Sequence, residues 1–202
     1  MADVGTIDDV LRAVSTEFDG QSIPVSAALG EVTDWNEGRT PPLLPRGLSF
    51  VKLGLAGTTG DADWCLRWAE VRSRFEWASS RPLPWIAVAF ADWNAAGAPQ
   101  PSDVVEAAGR EKCVGVLFDT CIKKGRTLLD GIETSELTQL TERAHQLGLK
   151  VALAGSLRVE MLPGLKCIGA DIIAVRSAAC RHGSRTTDID PAAVRALKSA
   201  IA

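Results

Sequence analysis

The feature that most constrains this chain is an alternation of short, unbroken apolar runs with amphipathic stretches. The runs are "IPVSAALG" (23–30), "LSFVKLGLAG" (48–57), "PWIAVAFAD" (84–92), "CVGVLFDT" (113–120), "LKVALAGS" (149–156) and "ADIIAVRS" (170–177). Each is rich in Val, Ile, Ala or Phe, which suits strands covered on both faces and hence a parallel sheet. Around them lie "IDDVLRAVSTEF", "DADWCLRWAEVRSRF", "PSDVVEAAGRE", "TSELTQLTERAHQLG", "RVEMLPGLKCIG" and "DPAAVRALKSAI", which carry helical patterns. Asp61, Ser102, Thr134 and Asp190 stand where N-caps are expected, and Gly148 and Gly169 where a helix turns toward the next strand. The repeating unit is strand, loop, helix, so the class is α/β.

Two architectures take such units. An open doubly wound sheet finds no support, because the chain has no G-x-G-x-x-G and no P-loop. The alternative is a (β/α)8 TIM-type barrel with two strands absent and six βα units present. Residues 33–47, "TDWNEGRTPPLLPRG", are the only long irregular stretch and read as a loop, so 1–202 forms one barrel domain.

Bulk properties exclude more than they assign. A net charge of −3 gives no reason to expect nucleic acid or an acidic membrane surface. No apolar run reaches the length of a membrane span, and the acidic N-terminus lacks a signal-peptide pattern. Five cysteines without a C-x-x-C suit reduced thiols in a cytoplasm, and two histidines leave no multi-histidine metal centre. The six tryptophans, including Trp64 and Trp68 one helical turn apart, suit helix packing or a subunit interface, and the expected assembly is a homo-oligomer.

In a parallel βα fold, chemistry collects at the C-terminal ends of strands. That rule selects Lys52, inside an apolar strand, then Asp92, then Asp119 with Lys123 and Lys124 in the following turn. Ser156 and Arg176 end the last two strands, with Arg181 and Arg185 beyond. A buried ammonium must be paired or have a lowered pKa, and such lysines carry protons or form Schiff bases. The bland reading of Lys52 is a strand-edge residue reaching water. Asp119 and Lys123 form either a polarised catalytic pair or a simple loop ion pair. The small residues and arginines of "AGS" and "VRSAACRHGSR" offer amides and a guanidinium fork to a phosphate, or make an ordinary basic turn.

The stretches "FVKLGLAG", "FDTCIKKGRTLLD", "GLKVALAGSL" and "GADIIAVRSAAC" resemble the (5-formylfuran-3-yl)methyl phosphate synthases of methanofuran biosynthesis, from about Ile23 to the C-terminus. The resemblance implies a barrel that condenses two molecules of glyceraldehyde 3-phosphate with loss of phosphate and water, a carbon–oxygen lyase without metal or organic cofactor. It implies that Lys52 moves protons and that Asp119 and Lys123 act at the end of the family's sixth strand, with a weaker correspondence for Asp92. Gly155, Ser156, Arg176 and the backbone at Ser177 fall where a substrate phosphate is held; Ser177 replaces the family's usual Gly. The family opens with two further strands, the second bearing the Schiff-base lysine. This chain lacks them, so the expectation is a reading frame extending upstream, or a fragment, with impaired activity. Other expectations from the residues are a class I aldolase-like barrel using Lys52 or Lys123, or a non-catalytic sugar-phosphate-binding remnant.

Overall fold

Strand order follows chain order without a reversal. The computed structural model describes residues 3–17, 23–36, 38–122 and 125–201. Strands β1 (Ser26–Glu31), β2 (Phe50–Gly54), β3 (Trp85–Phe90), β4 (Gly115–Asp119), β5 (Lys150–Leu153) and β6 (Ile172–Ile173) form one parallel sheet in that sequence. A doubly wound sheet reverses its order at a switch point to place helices on both faces. An unreversed order with right-handed crossovers sends the intervening helices to one face, as in barrels.

The sheet is curled. Ser26 of β1 and Ile172 of β6 line the same cavity, of about 130 Å³, together with Lys52, Ile86, Leu117 and Ala152 of the strands between. In a flat sheet, five spacings of ~4.8 Å would hold the two edges ~24 Å apart. Among the described residues β1 and β6 are those edges.

Burial corrects one expectation about the apolar runs. They are not covered equally on both faces. The outer set, including Leu29, Val51, Leu53, Ala87, Val116, Phe118, Val151 and Leu153, is almost completely buried. Ser26, Ala28, Lys52, Ile86 and Ala152 alternate with them on the concave face and stay partly open. Apolar residues on both faces hide this period of two in the sequence.

Helices α1 (Val4–Glu17), α2 (Trp64–Ser79), α3 (Trp93–Ala96), α4 (Pro101–Arg110), α5 (Thr134–Gln146), α6 (Leu162–Lys166) and α7 (Pro191–Ile201) complete the fold. Trp68, Val71 and Phe75 of α2, Val104, Val105 and Ala108 of α4, and Leu137, Leu140 and Ala144 of α5 recur at helical spacing and pack into the core. Each large side chain so buried contributes about 1.5–3 kcal/mol. Arg72 lies in this core with its guanidinium 4.6 Å from the Trp68 ring and 5.5 Å from Trp85, donating 2.9 Å to the Glu111 carbonyl.

Helix ends depart from expectation in detail. Ser102 and Thr134 lie inside their helices, which start at Pro101 after Gln100 and at Thr134 after Glu133. Pro101 fixes the earlier start because its missing N–H is not needed in the first turn. Asp61 accepts from the Asp63 amide at 3.0 Å, so it organises the turn before α2. Asp190 behaves as expected, accepting from Ala192 N–H at 2.9 Å. Gly148 and Gly169 take φ of +76° and +81°, the left-handed turn that glycine allows at low cost. Pro163 divides the expected helix near residue 160 into a 3₁₀ turn, Val159–Met161, and α6.

Candidate active site

Lys52 occupies the middle of β2, in register with Ala28 and Ile86, and points to the concave face. Apolar side chains surround its stem, and its ammonium donates to the Ser26 hydroxyl at 3.4 Å. Burial pushes its pKa below the ordinary lysine value, and the charge of Asp119 offsets part of that shift. The amine is therefore easier to deprotonate than an exposed one. The side chain is only partly buried, so the amine also reaches the open side of the cavity.

Asp119 closes β4, and its Oδ1 accepts from the following Thr120 amide at 2.7 Å. Lys52 and Asp119 share a cavity of about 350 Å³ with Gly155, Ser156, Arg176, Ser177 and Arg185. Strand topology brings these residues together from β2, β4 and the loops after β5 and β6. Gly155 and Ser156 both have positive φ, +104° and +51°. A Cβ on Gly155 would lie 3.2 Å from Thr120, so its glycine lets the loop after β5 close onto the loop after β4. The Gly155 carbonyl completes that contact by accepting from Leu128 N–H at 2.9 Å. Among the described residues, no hydrogen bond engages the amides of Ser156, Leu157, Ser177 or Ala178. Open donors and two guanidinium groups along one wall suit a phosphate ester.

Asp92 has a different setting. It is 8 % exposed, and its two carboxylate oxygens accept from the amides of Cys121 (2.7 Å) and Ile122 (2.8 Å). It clamps the loop that leaves Asp119. Lys123 and Lys124 lie outside the described residues.

Sequence reasoning missed Glu31 and left Arg185 unassigned. Glu31 ends β1, is half-buried, and accepts from Ala56 N–H at 2.8 Å. Burial raises its pKa, and the nearby Asp34 charge adds to the rise. With Lys52, Gly54, Asp119 and Cys121 it lines a second cavity, of about 270 Å³. Its signal was a glutamate directly after an apolar strand, opposite a glycine two residues past Lys52.

The sequence profile of the 4-HFC-P synthase family matches residues 4–198. The chain belongs to this family. Among its relatives is the (5-formylfuran-3-yl)methyl phosphate synthase of Methanopyrus kandleri, 36% identical over 157 residues, which are 77% of this chain and 66% of that protein. The like-named protein of Methanococcus maripaludis strain S2 is 34% identical over 164 residues, covering 80% and 69%. That of Methanothermobacter thermautotrophicus is 32% identical over 194 residues, covering 94% and 80%. The 4-HFC-P synthase relatives are thus named as synthases, and this chain spans about two thirds of the length of the first two, 66% and 69%. A solved structure of 3-hexulose-6-phosphate synthase shows a TM-score of 0.49 at 17% identity, covering 77% of this chain and 63% of that one, too slight a likeness to carry an argument. Among the described residues, no helix of this 4-HFC-P synthase family member is long and apolar enough to cross a membrane.

Proposed function

We propose that this site performs (5-formylfuran-3-yl)methyl phosphate synthesis, joining two molecules of glyceraldehyde 3-phosphate with loss of phosphate and water, within methanofuran-type cofactor biosynthesis. The observation that carries the reading is the single cavity shared by Lys52, Asp119 and Arg176 in a member of the 4-HFC-P synthase family. Lys52, with its lowered pKa, takes and returns protons during the condensation and eliminations. Asp119 sets the charge that this amine feels and stabilises its protonated form. Arg176 and the backbone at Gly155, Ser156 and Ser177 hold the phosphate of one substrate, with Arg185 on the same wall. Lys123, which follows Asp119 in the sequence, is the second amine of this proposal. The chemistry is that of a carbon–oxygen lyase needing no metal or organic cofactor.

The test is incubation of the chain with glyceraldehyde 3-phosphate, following the furan aldehyde by mass spectrometry and released phosphate by colorimetry. Lys52→Met lowers turnover by at least ~100-fold, the scale of a lost proton-transfer group. Arg176→Gln acts chiefly on KM, and weakens inorganic phosphate binding measured by ³¹P NMR. Turnover undiminished in Lys52→Met, or phosphate binding indifferent to Arg176→Gln, overturns the reading.

A further inference from the structure

Lys52 and Asp119 belong to two cavities at once, and the two differ in character. On the β5–β6 side the pair meets Arg176, Arg185 and open backbone amides. On the β1–β3 side it meets Glu31, Gly30, Gly54, Phe90 and Cys121. Beyond the shared pair, the charged groups among the described residues are cationic in the first chamber and anionic in the second.

The second chamber is built around the Glu31 carboxylate. Its Oε2 accepts from Ala56 N–H at 2.8 Å, while the Glu31 backbone amide donates to the Asp34 carboxylate at 2.8 Å. Opposite it, on β2, a Cβ at Gly54 would fall 2.1 Å from Oε2. Only a glycine at that position leaves the carboxylate its place. An ionised carboxylate has about four acceptor sites, so the Ala56 amide leaves capacity for a ligand.

We propose that this chamber receives the uncharged end of a sugar phosphate whose phosphate lies against Arg176, with Glu31 accepting a hydrogen bond from a hydroxyl. The inference rests on the proposed function for the location of the phosphate, and adds what the other half of the site selects. Glu31 is then a specificity-determining residue, and the site is bipartite, with the Lys52–Asp119 pair where the two chambers meet.

Cys121 lines the Glu31 chamber and serves as its reporter. Alkylation by iodoacetamide, resolved from Cys65, Cys113, Cys167 and Cys180 by peptide mass spectrometry, reads occupancy. Glycerol 3-phosphate slows labelling of Cys121 and inorganic phosphate alone does not, although both bind by ³¹P NMR. Glu31→Gln weakens the protection by glycerol 3-phosphate about tenfold more than it weakens phosphate binding, and Glu31→Asp restores part of it. In the unaltered chain, a cationic methanethiosulfonate modifies Cys121 at least several-fold faster than an anionic one. Phosphate binding without protection of Cys121 by glycerol 3-phosphate, or a faster anionic reagent, sinks this inference and leaves the proposed function standing. Phosphate binding that is absent, or indifferent to Arg176→Gln, removes the proposed function and this inference together. The reagent comparison needs no variant, so it decides the matter even where the Glu31→Gln protein fails to fold.

Discussion

Replacing Asp92 by alanine removes two short, charge-assisted hydrogen bonds, to Cys121 (2.7 Å) and Ile122 (2.8 Å), at a site only 8 % exposed. Bonds to a charged group contribute about 1.5–3 kcal/mol each. Ile122 is 36% exposed, so water can take over part of its amide's bonding once the carboxylate is gone. The expected loss is therefore about 2–4 kcal/mol rather than the full sum. Asparagine keeps one acceptor oxygen but turns an NH₂ toward the second amide, so Asp92→Asn loses about half as much. Urea denaturation at neutral pH measures the global term. The alkylation rate of Cys121 measures the local one, because a freed loop exposes that thiol before the domain unfolds. A clamp predicts faster Cys121 labelling in both variants, with alanine worse than asparagine. If both variants keep the parent urea midpoint and labelling rate, the clamp assignment is wrong.

Other substitutions test other parts of the structure. Gly115→Ala places a Cβ 2.5 Å from the Lys150 carbonyl oxygen, backbone that cannot move aside without breaking the β4–β5 ladder, so stability falls by about 1–3 kcal/mol in urea titration. Gly54→Ala drives the Glu31 carboxylate off the Ala56 amide and abolishes the preference of Cys121 for a cationic reagent, read by mass spectrometry. Lys52 has a folded-state pKa below its unfolded value, so the unfolded chain binds the proton more tightly and the burial cost is fully present at low pH. That cost fades as pH rises from the folded value toward 10.5; Lys52→Met accordingly raises the urea midpoint at neutral pH. Asp171 has the opposite sign. The Val151 amide, and then His145, hold its pKa below 3.8, so its contribution is complete above 3.8 and lost as pH falls through the folded value. In Asp171→Asn this part of the acid-unfolding limb disappears, as acid titration of circular dichroism would show.

Much of the fold was written in local pattern. Apolar runs of strand length separated by helical periods specify βα units, because each element must bury one face and its neighbours in sequence supply the cover. Six runs became six parallel strands, and the glycines at 148 and 169 became left-handed turns, since only local sterics were involved. Strand-end position also marked Asp119, Ser156 and Arg176, and a charge inside an apolar run marked Lys52; the structure gathers all four around one cavity.

Tertiary structure decided what depends on residues distant in the chain. Which face of each strand is open could not be read, because both faces are apolar and only the curl of the sheet distinguishes inside from outside. Asp92 and Asp119 look alike as carboxylates at strand ends, yet one is occupied by amides about thirty residues away and the other faces a cavity. Glu31 acquires its setting from Gly54 and Ala56 across a strand pairing that no local window contains. Helical and strand periods are short-range properties of one segment, whereas charge environment and cavity shape are sums over many segments, and only the packed fold performs that sum.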